Sequence, residues 1–169
     1  MESIVSPGNR GSFISDSYRG TDHPEYETYL RNEHGKIVPV MTGEIMQQWV
    51  DAPILSEGFQ TCYPVIALDK NMGQMIHVSM DPWRYTDPTD YLQKIKDWQN
   101  MGCDEIVLMH SKNTVLPSSE VDRLNQMFGN KLLHIDLKTD LTFGFIVDVK
   151  KRLLLVELNR AKELRKYNI

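Results

Sequence analysis

A cysteine is an effective nucleophile only as a thiolate, so it needs a base beside it or a lowered pKa. Cys62 and His77 are the residues of this chain that could meet that need. They lie fifteen positions apart in the stretch 56–80, SEGFQTCYPVIALDKNMGQMIHVSM. The apolar run after Cys62 and the run that carries His77 read as two β-strands. Asp69, Lys70, Asn71, Met72 and Gly73 between them supply the tight-turn chemistry of a hairpin. With the turn centred near Asn71, His77 falls opposite Val65, and Cys62 lies three residues further toward the open end, about 10 Å along a strand. The two side chains then meet only if the strand is irregular near Cys62. Pro64, which cannot donate to a ladder, marks such an irregularity or a sheet edge.

The remaining candidates are weaker. His110 ends an apolar run and could reach the site from a strand end, although a structural or loop histidine fits that position better. His134 sits in a strand as a core or face residue, and His23 and His34 lie in the N-terminal stretch or at its junction. Cys103 follows Gly102 and reads as a small packed hydrophobe. Trp83 and Tyr85 follow the hairpin and either rim a substrate groove or pack in the core. No His/Cys/Asp/Glu spacing resembles a metal site, and no glycine fingerprint for a dinucleotide or a P-loop is present, so no metal and no cofactor is expected.

The elements around this hairpin alternate irregularly. Residues 36–40 read as a short strand, and 45–50 as a second one before Pro53. Asp87 or Thr89 caps a helix with Tyr91, Leu92, Ile95, Trp98 and Met101 at helical spacing, which Gly102 stops. A nearly all-apolar strand follows over 105–110. A helix then begins at Pro117, with Val121, Leu124, Met127 and Phe128 on one face. Strands are expected over 131–137, 143–149 and 153–158, the last two joined at Lys150, Lys151 and Arg152. The class is α/β: a sandwich of mixed or antiparallel sheets with two main helices. Residues 1–35 are polar and aperiodic and read as a flexible or loosely docked arm, able to dock through Tyr18, Tyr26, Tyr29 and Leu30. The domain then spans 36–160, and 161–169 reads as a short charged helical tail.

The bulk properties exclude some functions. The chain has 169 residues with 41% hydrophobic and 25% charged content, enough for one globular domain. A net charge of −4 gives no support to nucleic-acid binding. No apolar run approaches the ~20 residues of a membrane span. The N-terminus lacks a Sec-type signal, and two cysteines are too few for a disulfide framework. A reducing, cytoplasmic setting is expected, or export as an effector without a Sec signal.

The stretch 56–80 resembles the signature of the chemoreceptor glutamine deamidase CheD family. There a Thr precedes a Gly-x-Gly-Ser-Cys segment, and a Gly-Gly-x-Ala-His segment closes the hairpin. The matching residues here are Ser56, Gly58, Gln60, Thr61 and Cys62, then Gly73, Gln74, Met75, Ile76 and His77. The resemblance continues through Met41-Thr42-Gly43-Glu44, the order of the later elements, and Phe143-Gly144, covering residues 38–158. It implies Cys62 as nucleophile, His77 as base and Ser56, in place of the family's Thr, as the hydroxyl that orients the imidazole. Thr61, Gln60 and Gln74 stand where the family has glycine and serine, and are expected to touch substrate. The Cys–His spacing is also similar to that of the cytotoxic necrotizing factor toxins. The implied activity is deamidation of a glutamine on a partner protein, in chemotaxis or as a bacterial effector, by a chain acting as a monomer. A toxin-type deamidase or transglutaminase acting on a host protein, and a non-catalytic regulatory module, are the alternatives.

Overall fold

Apolar runs flanked by turn residues become strands in this chain, and the two helical periodicities become helices. A computed structural model describes residues 4–5, 12–19, 24–31, 36–159 and 163–169, with side chains over 26–30, 36–159 and 163–169. The elements in order are β1 (Ile4–Val5), β2 (Ser12–Arg19), α1 (Pro24–Arg31), β3 (Val38–Pro39), β4 (Ile54–Phe59), β5 (Tyr63–Asp69), β6 (Met72–Val78), α2 (Pro88–Met101), β7 (Glu105–His110), α3 (Ser118–Phe128), β8 (Leu132–Asp136), β9 (Phe143–Asp148), β10 (Leu153–Leu158) and β11 (Glu163–Asn168). One sheet runs β1-β8-β7-β5-β6 and the other β2-β11-β10-β9-β4-β3. The first is mixed, because β7 and β8 run parallel across the α3 connection; the second is antiparallel apart from β3 beside β4. The chain is therefore an α/β sandwich, as its element order predicts.

The period-2 alternation of the strands sorts the core into layers. Ile66, Leu68, Met75, Val107, Met109, Leu133 and Ile135 of the first sheet meet Ile54, Phe59, Phe143, Phe145, Val147, Leu154 and Val156 of the second. On the opposite face of the first sheet, Val65, Ala67, Ile76, Ile106 and Leu108 pack under Tyr91, Ile95 and Trp98 of α2 and Leu124 and Phe128 of α3. Asp87 caps α2 by accepting hydrogen bonds from the Thr89 and Asp90 amides, and Gly102 ends it in the left-handed region. On the outer face of the second sheet, Tyr26 of α1 packs with Ile146, Leu155 and Leu164. No helix among the described residues is long and apolar enough to cross a membrane.

Four expectations change. The tail is a strand: β11 pairs with β10 on one side and β2 on the other. Its inward residues are Glu163, Arg165 and Tyr167, and Arg165 is buried because its guanidinium bonds Glu163 at 3.1 Å and the Leu137 carbonyl at 2.8 Å. The arm is not loosely held where it is described, since β2 extends the second sheet and Tyr26 is 1% exposed; Leu30, by contrast, is exposed. His23, His34 and residues 161 and 162 lie outside the described residues. Residues 45–50 form only two isolated bridges, Ile45 to Ile76 and Val50 to Gly73, along the free edge of β6. Finally, Pro64 disturbs nothing. It is the second residue of β5, and the ladder to β7 begins only at Val65, so no hydrogen bond is lost there.

Candidate functional site

The register of the β5–β6 hairpin decides whether Cys62 and His77 can cooperate. Asp69 pairs with Met72 across a two-residue turn in which Lys70 takes φ 55°, so His77 stands opposite Pro64 rather than Val65. Cys62 is thus two residues away, not three. Two residues preserve the face, so no irregularity is needed to match the side chains. Cys62 joins the apolar cluster between the sheets, and His77 shares the face of Met75, which lies in that cluster. Cys62 itself precedes the ladder, which begins at Tyr63, and no hydrogen bond joins its thiol to the His77 imidazole.

The second sheet completes the site. Ser56 and Phe59 are both buried on β4 although they are three residues apart, which strict alternation forbids. A bulge reconciles them: Ser56 pairs with Phe145 and Phe59 with Phe143, so β4 carries one extra residue there. Gly58 makes the bulge possible at φ 77°. Phe59 then stacks on the His77 imidazole, with centroids 3.9 Å apart and planes 16° from parallel, and Phe143 and Phe145 stack behind it.

Ser56 sets the chemistry of His77. Its hydroxyl donates to the Val40 carbonyl at 2.7 Å and lies 2.9 Å from His77 Nδ1. A hydroxyl has one proton, and the carbonyl can only accept it. Nδ1–H therefore donates to Ser56 Oγ, and Nε2 keeps its lone pair. Nε2 is buried without a hydrogen-bond partner, so the Cys62 thiol is not bonded to it. Burial lowers the His77 pKa to about 4, so the imidazole is neutral at pH 7. The backbone is held just as firmly. The His77 carbonyl accepts from the Gly43 amide at 2.9 Å and the Thr86 hydroxyl at 3.2 Å, and the His77 amide donates to the Glu44 carbonyl at 3.0 Å. Gly43 has φ 85°, and a Cβ there would lie 2.5 Å from the Arg84 carbonyl oxygen.

The other candidates separate clearly. Gln60 and Thr61 are exposed beside Cys62, and the Thr61 carbonyl accepts from the Val115 amide at 2.9 Å. Gln74 is not placed to touch a substrate with them. It points to the helix face, buried, where its Oε1 accepts from Trp98 Nε1 at 2.7 Å. His110 also belongs to the helix face and packs against His134 with centroids 4.8 Å apart. Burial and the neighbouring His110 lower the His134 pKa. Cys103 is buried, and its thiol is pushed up to about 11, which makes it inert packing. Among the described residues no group of three or more His, Cys, Asp or Glu side chains could hold a metal ion. Phe59 is the site residue that reading the sequence misses. Its signal was the Glu57-Gly58 pair, a glycine inside a strand pattern and hence a bulge that turns the following residue inward.

Fold and site together define an α/β sandwich with a neutral, oriented histidine between its sheets and a cysteine on the same inner face. No protein-family model matches the chain, and no curated protein matches it.

Proposed function

We propose that this protein is a protein-glutamine deamidase with Cys62 as nucleophile, His77 as general base and Ser56 as the residue that positions the imidazole. One observation carries the reading: the Ser56 proton is committed to Val40, so the basic nitrogen of His77 is Nε2, on the face that Cys62 shares. The resemblance of residues 56–80 to the CheD signature supports the same three roles. In this reading Nε2 takes the Cys62 proton as sulfur attacks the side-chain carboxamide carbon of a partner glutamine. The tetrahedral intermediate collapses, the C–N bond breaks, and ammonia leaves with the proton from Nε2. Water then attacks the thioester, gives its proton to Nε2, and releases glutamate and the thiol. A toxin-type chain would use the same steps on a host protein, and an amine in place of water would make the product a cross-link.

Intact mass of a partner protein tests this directly. Each converted glutamine adds about 1 Da, and the gain disappears in Cys62→Ala and His77→Asn. Partners that keep their mass while Cys62 resists iodoacetamide at neutral pH would refute it. The second reading, a non-catalytic binding module, draws on the complete burial of His77 and its place beneath Phe59.

A further inference from the structure

Four of the eight exposed large apolar residues among the described ones lie beside the hairpin end where Cys62 stands. Trp83 is 91% exposed, Met41 and Tyr85 55% each and Met80 53%. Soluble proteins rarely leave a tryptophan in water, and Trp, Tyr and Met are enriched where proteins bind one another. The four residues come from two segments that pack together, because the turn at Gly43 lies directly against the Arg84 carbonyl. Both segments are tied to the histidine: Gly43 donates to its carbonyl, and Thr86 bonds that carbonyl and accepts from the Ser79 amide at 2.9 Å.

Met80 and Tyr85 also rim a cavity of about 350 Å³. Its walls include Tyr63, the residue after Cys62, Val78 and Ser79, the residues after His77, and Tyr91 and Glu120. The cavity therefore opens at the hairpin end that carries the cysteine, on the face opposite the sulfur. Tyr91 donates to Glu120, whose carboxylate also pairs with Arg123, while Arg123 Nε is buried without a hydrogen-bond partner. What remains is a mainly apolar recess large enough for one aromatic or long aliphatic side chain. Around it the exposed charges of residues 41–44 and 80–90 are Glu44, Asp81, Asp87 and Asp90 against Arg84 alone.

We infer that the Met80–Tyr85 loop and the cavity behind it dock a basic, apolar segment of a partner protein, placing a large side chain in the cavity while a nearby glutamine reaches Cys62. The role of that glutamine rests on the deamidase reading; the docking rests on the exposed residues, the cavity and the charge. An anionic membrane or nucleic acid would meet the same carboxylates and be repelled.

Two fluorescein-labelled peptides test the inference, each with one glutamine and a phenylalanine two residues away, flanked by lysines in one and by glutamates in the other. Fluorescence anisotropy on the full chain should give the lysine peptide about 10-fold tighter binding. That preference should weaken with salt, and Trp83→Ala should loosen the lysine peptide by about 10-fold. Trp83 is almost wholly in solvent, so its loss leaves the fold intact, and the iodoacetamide rate at Cys62 should not change. Equal binding of the two peptides, or binding indifferent to Trp83→Ala, would overturn the inference. So would a dimer in sedimentation that Trp83→Ala dissolves, since a second copy would then be the occupant. If the peptides bind as expected but neither gains mass, deamidation fails and the docking stands. If both gain mass with the same kcat/KM, the reverse holds.

Discussion

Ser56 is the residue whose replacement tells orientation from mere packing. Ser56→Ala leaves the Val40 carbonyl and His77 Nδ1 without a partner, which should cost about 1–3 kcal/mol of stability. It also releases the imidazole, so Cys62 alkylation and, on the proposed deamidase reading, conversion of a partner glutamine should each fall by about 100-fold. Ser56→Thr keeps the hydroxyl and should restore most of both rates, which loss of packing alone would not predict. His77 makes a separate test. Its folded pKa of about 4 lies below the unfolded 6.5, so the native state binds fewer protons. Its contribution to stability is complete above pH 6.5 and is lost as pH falls through 4. Between pH 7 and pH 4.5 the wild type should lose about 2–3 kcal/mol more than His77→Asn, read from urea midpoints. Residue type singled out Cys62 and His77 in the sequence, and Ser56 entered only through the resemblance of residues 56–80 to the CheD signature. The tautomer was not legible, because it depends on a proton given to Val40, sixteen residues before Ser56.

At the scale of elements, the hairpin and the helices α2 and α3 follow from turn residues and periodicity, whereas α1 falls in the stretch read as an aperiodic arm. The register moved by one because the turn holds two residues, which a composition of Asp, Lys, Asn and Gly does not specify. The tail reads as helical because its charges suggest a solvated face, yet Glu163 and Arg165 point inward and satisfy each other. The bulge in β4 is the element on which the site depends most. A Cβ on Gly58 would meet nothing within 4 Å, so Gly58→Ala tests backbone conformation alone. It should cost about 1–2 kcal/mol, and Gly58→Asn, which tolerates positive φ, should cost less; urea midpoints read both. Any shift of Phe59 that accompanies it should appear as altered ring-current shifts on the His77 protons.

The whole molecule is a sandwich whose last described strand joins one of its earliest to the rest. β11 is the neighbour of β2 as well as of β10, so a chain ending at residue 159 would lose both pairings and bare the inner face that Tyr167 helps to cover. We expect such a chain to lose cooperative unfolding in urea while keeping much of its far-ultraviolet dichroism. The bond between Ser56 and His77 crosses from one sheet to the other, and a slight slackening of the two layers would cut it before any strand came apart. Chemistry should then fail first on gentle heating or in dilute denaturant, with secondary structure still complete. The imidazole would serve as a gauge of how tightly the halves are clasped, and nitrogen chemical shifts of its ring could follow that loosening directly.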